Sequence, residues 1–137
     1  MPRAMTIGQL ATAAGVNVET IRYYQRRGLM TIPQRPPGGQ RRYPDDALRQ
    51  ITFIRRAQDL GFTLDEIAAL LAIAADGDWR ASRKAGQMKL DELEQRVVEL
   101  NRMRRELGAL VKLTEARKGR EPCPFIARLF GDDDNGR

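Results

Sequence analysis

Apolar residues along the first thirty positions recur at helical spacing and are interrupted where a turn is required. Thr6-Ile7-Gly8-Gln9 reads as a capping box, in which a threonine hydroxyl and a glutamine amide serve backbone N–H groups at a helix start. Ile7, Leu10, Ala11 and Ala14 follow on one face, and Gly15 supplies the stop. Asn17 can cap a second helix, Val18 to Arg27, closed by Gly28. Two short helices joined by a tight glycine-containing turn form the helix-turn-helix pattern, whose second helix enters the major groove of DNA. On that second helix Val18 and Ile21 can face a core, while Glu19, Arg22, Tyr23 and Arg26 can face outward. Tyr24 is open to either role, packing or contact.

The pattern then changes character. Between Thr31 and Tyr43 the prolines forbid a helix, and Pro37-Gly38-Gly39 signals a turn between short extended segments. Arg35, Arg41 and Arg42 flank that turn, so a basic hairpin or loop comes directly after the second helix, as a wing would. Helical spacing returns at Asp45 or Asp46 and runs through Ala47, Leu48, Ile51 and Ile54 to Leu60, before Gly61. Thr63-Leu64-Asp65-Glu66 is a second capping box, opening a helix with Ile67, Leu70 and Leu71 that breaks at Asp76-Gly77-Asp78.

From Ala81 to Arg117 no proline occurs. Leu90, Leu93, Val97, Leu100, Met103, Leu107 and Leu110 step by three or four residues, the spacing of a coiled-coil seam with one short step near Met103. A stripe this narrow on so long a helix predicts pairing with the same helix of a second chain. Lys118 to Pro122 ends the helix, Cys123 to Phe130 reads as a short amphipathic cap, and Gly131 to Arg137 as a polar, disordered tail. The expected organisation is mainly α: a winged helix-turn-helix head over 1–78, a dimerisation helix over 79–117, and a C-terminal cap and effector region over 118–137.

Composition narrows the function. Of the 137 residues, 24 are Lys or Arg and 18 are Asp or Glu, a net charge of +6. Residues 1–42 hold seven arginines against Glu19 alone, so the whole excess lies in the first third of the chain. Arginine presents a planar fork of donors suited to phosphate oxygens and guanine edges, and a concentrated basic region is the footprint of nucleic-acid binding. The competing reading is a coiled-coil interaction protein whose basic head docks an acidic partner. With no histidine and one cysteine, Ser-His and Cys-His catalysis are excluded, a self-contained four-ligand zinc site is not expected, and no disulfide can form within the chain. No enzyme activity, no cofactor and no membrane span are expected, and the lone cysteine agrees with a cytoplasmic setting.

These motifs together resemble the MerR family of bacterial transcriptional regulators. Thr20-Ile21-Arg22-Tyr23-Tyr24 with Gly28-Leu29 matches the recognition helix, Arg41-Arg42-Tyr43 the end of the wing, and Gln58 through Ile67 the segment linking the third and fourth helices. The resemblance covers Thr6 to about Phe130. It implies a homodimer joined by an antiparallel coiled coil, each head on half of a palindromic operator in double-stranded promoter DNA, distorting that DNA to control transcription by RNA polymerase. Carried over by position, Arg22, Tyr23, Arg35, Gln40 and Arg41 are expected to touch DNA, and Arg26 and Arg42 stand beside them. An effector-independent repressor is the alternative within this class. The mercury-responsive branch is similar at Gly61 to Ala68 and at Cys123-Pro124-Phe125-Ile126-Ala127. That branch binds mercury through three thiolates, one at the start of the long helix and two beyond its end on the other chain. The corresponding places here are Trp79, Thr114 and Cys123, so two of three thiolates are missing and no metal site is expected. Cys123 is open to a role as a thiol sensor or as a small packed residue.

Overall fold

The computed structural model describes residues 4–117, 119 and 123–132. Among them are six helices: α1 (Ile7–Ala14), α2 (Val18–Arg26), α3 (Asp45–Asp59), α4 (Leu64–Asp76), α5 (Trp79–Ala116) and α6 (Pro124–Leu129). The expected disordered tail lies, beyond Asp132, outside the described residues, as do Lys118 and Arg120 to Pro122. The chain divides into two compact units, Met1–Lys89 and Leu90–Arg137, with the division inside α5.

In the first unit, both capping boxes form as the sequence dictates. The Thr6 hydroxyl accepts the Gln9 N–H at 3.2 Å and the Gln9 amide oxygen accepts the Thr6 N–H at 3.0 Å. Thr63 and Glu66 repeat this reciprocity at the start of α4. Asn17 accepts the Thr20 N–H at 2.8 Å and starts α2. Gly15 turns the chain out of α1 at φ 70°, a conformation that costs a residue with a Cβ roughly 1 kcal/mol or more. The long helix begins at Trp79, where the Asp78 carboxylate accepts the N–H groups of Arg80 and Ala81 at 3.1 and 3.0 Å.

Helix α1 packs on α2 and α3, and α3 packs on α4. Leu10, Ile21, Ile51, Ile54 and Ile67 are fully buried at the centre, with Tyr24, Leu29, Met30, Tyr43 and Ala47 around them. No strand occurs among the described residues. The segment between α2 and α3 is a loop that turns at Pro37-Gly38, where Gly38 takes φ 71°. Its end is fixed by an antiparallel bridge in which Met5 and Tyr43 exchange backbone hydrogen bonds of 2.9 and 2.7 Å.

One buried charge joins α4 to α5. The Lys89 ammonium, 5% exposed, donates to the Glu66 carboxylate at 2.9 Å and sits 5.4 Å from the centre of the Phe62 ring. The Thr63 backbone N–H, and after it the Lys89 ammonium, lower the Glu66 pKa from 4.5 to about 2. A carboxyl whose pKa is depressed by folding adds stability that is complete above its ordinary pKa and disappears as pH falls through the folded value. The melting temperature should therefore carry a Glu66-dependent fall between pH 4.5 and 2, and Glu66→Gln should remove that part of the slope; thermal melts across this range check it.

In the second unit, Leu90, Val97, Leu100, Met103 and Leu107 on α5 are between 47% and 61% exposed. The Thr114 hydroxyl accepts the Phe125 N–H at 3.2 Å, and Arg128 pairs with Glu106 at 3.5 Å, so α6 is tied to the last turns of α5.

Candidate nucleic-acid interface

Helix α2 separates its residues by a simple rotation. Positions 21 and 24 fall on the face covered by α1 and α3, whereas Glu19, Arg22, Tyr23 and Arg26 are exposed on the other. The two adjacent tyrosines have opposite fates. Tyr23 is 41% exposed, while Tyr24 is 4% exposed and donates its hydroxyl to the Gln58 side-chain oxygen at 2.9 Å. Burial pushes the Tyr24 pKa up, which keeps it a neutral donor in the core. Tyr24 is thus a packing residue.

On the exposed face the cations are held rather than loose. Arg22 reaches back to Glu19 at 2.8 Å, an i,i+3 pair exposed enough to open at small cost. The guanidinium carbons of Arg26 and Arg27 lie 5.8 and 5.9 Å from the centre of the Tyr23 ring. Arg27 also donates to the Tyr23 hydroxyl at 3.2 Å and to Asp65 of α4 at 2.7 Å. A donor on that hydroxyl leaves the tyrosine O–H itself free to point at an acceptor such as a phosphate oxygen. Sequence reasoning counts Arg27 only as charge; its role in setting the Tyr23 hydroxyl depends on Asp65, thirty-eight positions away, and carries no local signal.

Arg35, Gln40, Arg41 and Arg42 are all exposed in the loop. The Arg35 Nε donates to the Gly39 carbonyl at 3.1 Å, across the turn. Gln25 of α2 donates to the Tyr43 hydroxyl at 2.7 Å, linking the second helix to the base of the loop. Arg55, on α3, donates to the carbonyls of Ala14 and Gly15 at 3.1 and 3.3 Å, capping the open end of α1 at the turn. Neither link is legible in the sequence, since each joins residues far apart along the chain. Together they fix α2 and the arginine-bearing loop to one scaffold, giving donors on a helix face and donors on a neighbouring loop. That arrangement suits a groove and its flanking phosphates.

The three positions expected to form an effector region lie in different surroundings. Trp79 is 67% exposed at the start of α5, with the Arg80 guanidinium 6.0 Å from its ring centre. Thr114 falls in the last turns of α5 rather than beyond its end, and its hydroxyl already accepts the Phe125 N–H. Cys123 is half-buried and immediately precedes α6. One indole, one engaged hydroxyl and one thiol do not make a soft-metal donor set, which needs several thiolates.

Comparison with known proteins gives the same direction. The sequence profile of the MerR HTH family regulatory protein matches residues 5–73, and that of the MerR DNA-binding region matches residues 48–110. The mercuric resistance operon regulatory protein of Shigella flexneri is 44% identical over 128 residues, spanning 93% of this chain and 89% of that protein. Among solved structures, the regulator PbrR691 from Ralstonia metallidurans CH34, in complex with lead(II), superposes with a TM-score of 0.79 at 31% identity, covering 91% of this chain and 98% of its own. The dual-function regulator MerR of Bacillus megaterium MB1, in complex with mercury(II), superposes with a TM-score of 0.73 at 34% identity, over 92% and 99%.

Proposed function

Since this chain belongs to the MerR family of DNA-binding transcriptional regulators, we propose that two copies bind a palindromic promoter operator and distort it to control transcription by RNA polymerase. The observation that carries this reading is the outward face of α2, where Arg22, Tyr23 and Arg26 stand beside a loop bearing Arg35, Gln40, Arg41 and Arg42. In it, α2 enters the major groove and the loop grips the flanking backbone. Arg22 and Tyr23 supply donors to base edges and phosphate, and the loop arginines supply sequence-independent affinity with a steep salt dependence. The half-exposed stripe on α5 seals against the same stripe of the second copy, antiparallel, so that both heads engage one duplex. On this reading 1–78 is the DNA-binding head, 79–117 the dimerisation helix and 118–137 the effector region.

Arg22→Ala tests the assignment. It should abolish specific binding to DNA selected by the wild-type protein from a random pool, while sedimentation shows an unchanged dimer. Unaltered DNA binding would instead favour a basic head that docks an acidic protein.

Several relatives are named as regulators of mercuric resistance operons and one is solved in complex with mercury(II), and the donors here do not fit that ion. Each copy offers only the Cys123 thiol at the three expected positions, beside Trp79 and Thr114. Mercury(II) should therefore leave transcription from the cognate promoter unchanged in a purified run-off assay. Mercury-dependent activation requiring Cys123 would overturn this.

A further inference from the structure

An acidic side chain sits against the arginines at the end of α2, a place where a surface for nucleic acid gains nothing from negative charge. Asp65, the second residue of α4, has 92% of its side chain exposed, and its carboxylate accepts from the Arg27 guanidinium at 2.7 Å. The start of α4 does not need it. Thr63 and Glu66 already close the capping box there, and Glu66 already places a negative charge in the first turn. An ion pair this exposed adds little to stability, and a carboxylate close to DNA repels phosphate. The pair must be judged by what it does to Arg27.

The guanidinium that gives one terminal nitrogen to Asp65 gives the other to the Tyr23 hydroxyl, at 3.2 Å. Its donors form a rigid planar fork, so anchoring one of them sets the direction of the next. Tyr23 stands one helical turn before Arg27, and the guanidinium carbon of Arg27 lies 5.9 Å from the centre of its ring. A phenol oxygen that accepts a hydrogen bond turns its own O–H away from the donor. On a side chain 41% exposed, the direction left to it is outward. We propose that Asp65 is a positioning residue for operator binding: through Arg27 it aims the Tyr23 O–H at a phosphate oxygen. An anionic side chain thereby strengthens the hold on an anionic ligand. The inference rests on the reading above in which α2 enters the groove.

Asp65→Ala separates this relay from plain electrostatics by the sign of its effect. By charge alone, removing a carboxylate from a basic face should tighten DNA binding and steepen its salt dependence, because the released Arg27 becomes one more cation for phosphate. The relay requires the reverse. Affinity of the full-length protein for DNA that the wild type selects from a random pool should fall about three- to tenfold, the worth of one oriented hydrogen bond. Tyr23→Phe should lose a similar factor. Adding Asp65→Ala to Tyr23→Phe should cause no further loss, since the hydroxyl to be aimed is gone. Arg27→Ala should silence Asp65→Ala in the same way. A merely structural role for Asp65 would weaken binding equally with and without the Tyr23 hydroxyl. Unchanged or tighter binding by Asp65→Ala overturns the relay, and so does a loss that persists in Tyr23→Phe protein. If Arg22→Ala and Tyr23→Phe both bind as the wild type does, the groove reading of α2 fails first and the relay falls with it.

Discussion

Replacing Leu100 and Leu107 together with aspartate should convert the protein to a monomer and weaken operator binding by about two to four orders of magnitude. Both side chains lie on the α5 stripe, 61% and 50% exposed. Two carboxylates on a seam that must be apolar cannot be desolvated cheaply, so the paired helices separate. Two heads held on one frame bind successive half-sites as a single event, and independent heads forfeit that roughly 10²–10⁴-fold gain. The core of the head lies within Met1–Lys89 and includes neither residue, so its helical circular dichroism and its weak, salt-dependent DNA affinity should persist. Sedimentation equilibrium and gel-shift titration read the two effects separately. A stable dimer in the double variant would remove the seam from the α5 stripe.

Ile54→Ala should have the largest effect on the stability of the head. Ile54 is fully buried in α3, in the cluster that also holds Leu10, Ile21, Ile51 and Ile67. Truncating an isoleucine in such a position loses its transfer free energy and leaves a cavity, typically about 2–5 kcal/mol. A head of this size has little to spare, since small domains fold with only about 5–15 kcal/mol in hand. Urea unfolding should show the full loss, and DNA binding should fail near body temperature. Ile54→Val, which removes one methyl group, should cost only about 1 kcal/mol and keep binding. A loss below about 1 kcal/mol for the alanine variant would mean that the cluster is looser than its burial indicates.

How much can be read in advance differs by feature. Thr6–Gln9, Thr63–Glu66, Asn17 and Gly15 announce helix ends because capping chemistry acts within four residues, and the structure places those ends accordingly. The inward set of α2 is legible only in part, since periodicity puts Ile21 inside but leaves Tyr24 undecided. The partner of its hydroxyl, Gln58, lies beyond any local window. Lys89 is invisible for the same reason: a lysine on a polar helix reads as solvated until Glu66 and Phe62 are brought against it. Arg27 and Arg55 acquire their roles from Asp65 and from the carbonyls of Ala14 and Gly15, which only the packing of distant elements brings within reach. Local chemistry determines where elements start and stop; tertiary contact decides which charged side chains become structural.

The division of labour on α2 has an evolutionary corollary. Ile21 and Tyr24 anchor the helix, whereas Glu19 and Arg22 are exposed, pair only with each other and lie outside the buried cluster. Operator preference can therefore drift by exchanging outer residues, one at a time, at almost no risk to folding. A lineage with this architecture can adopt new target promoters faster than it could remodel its scaffold.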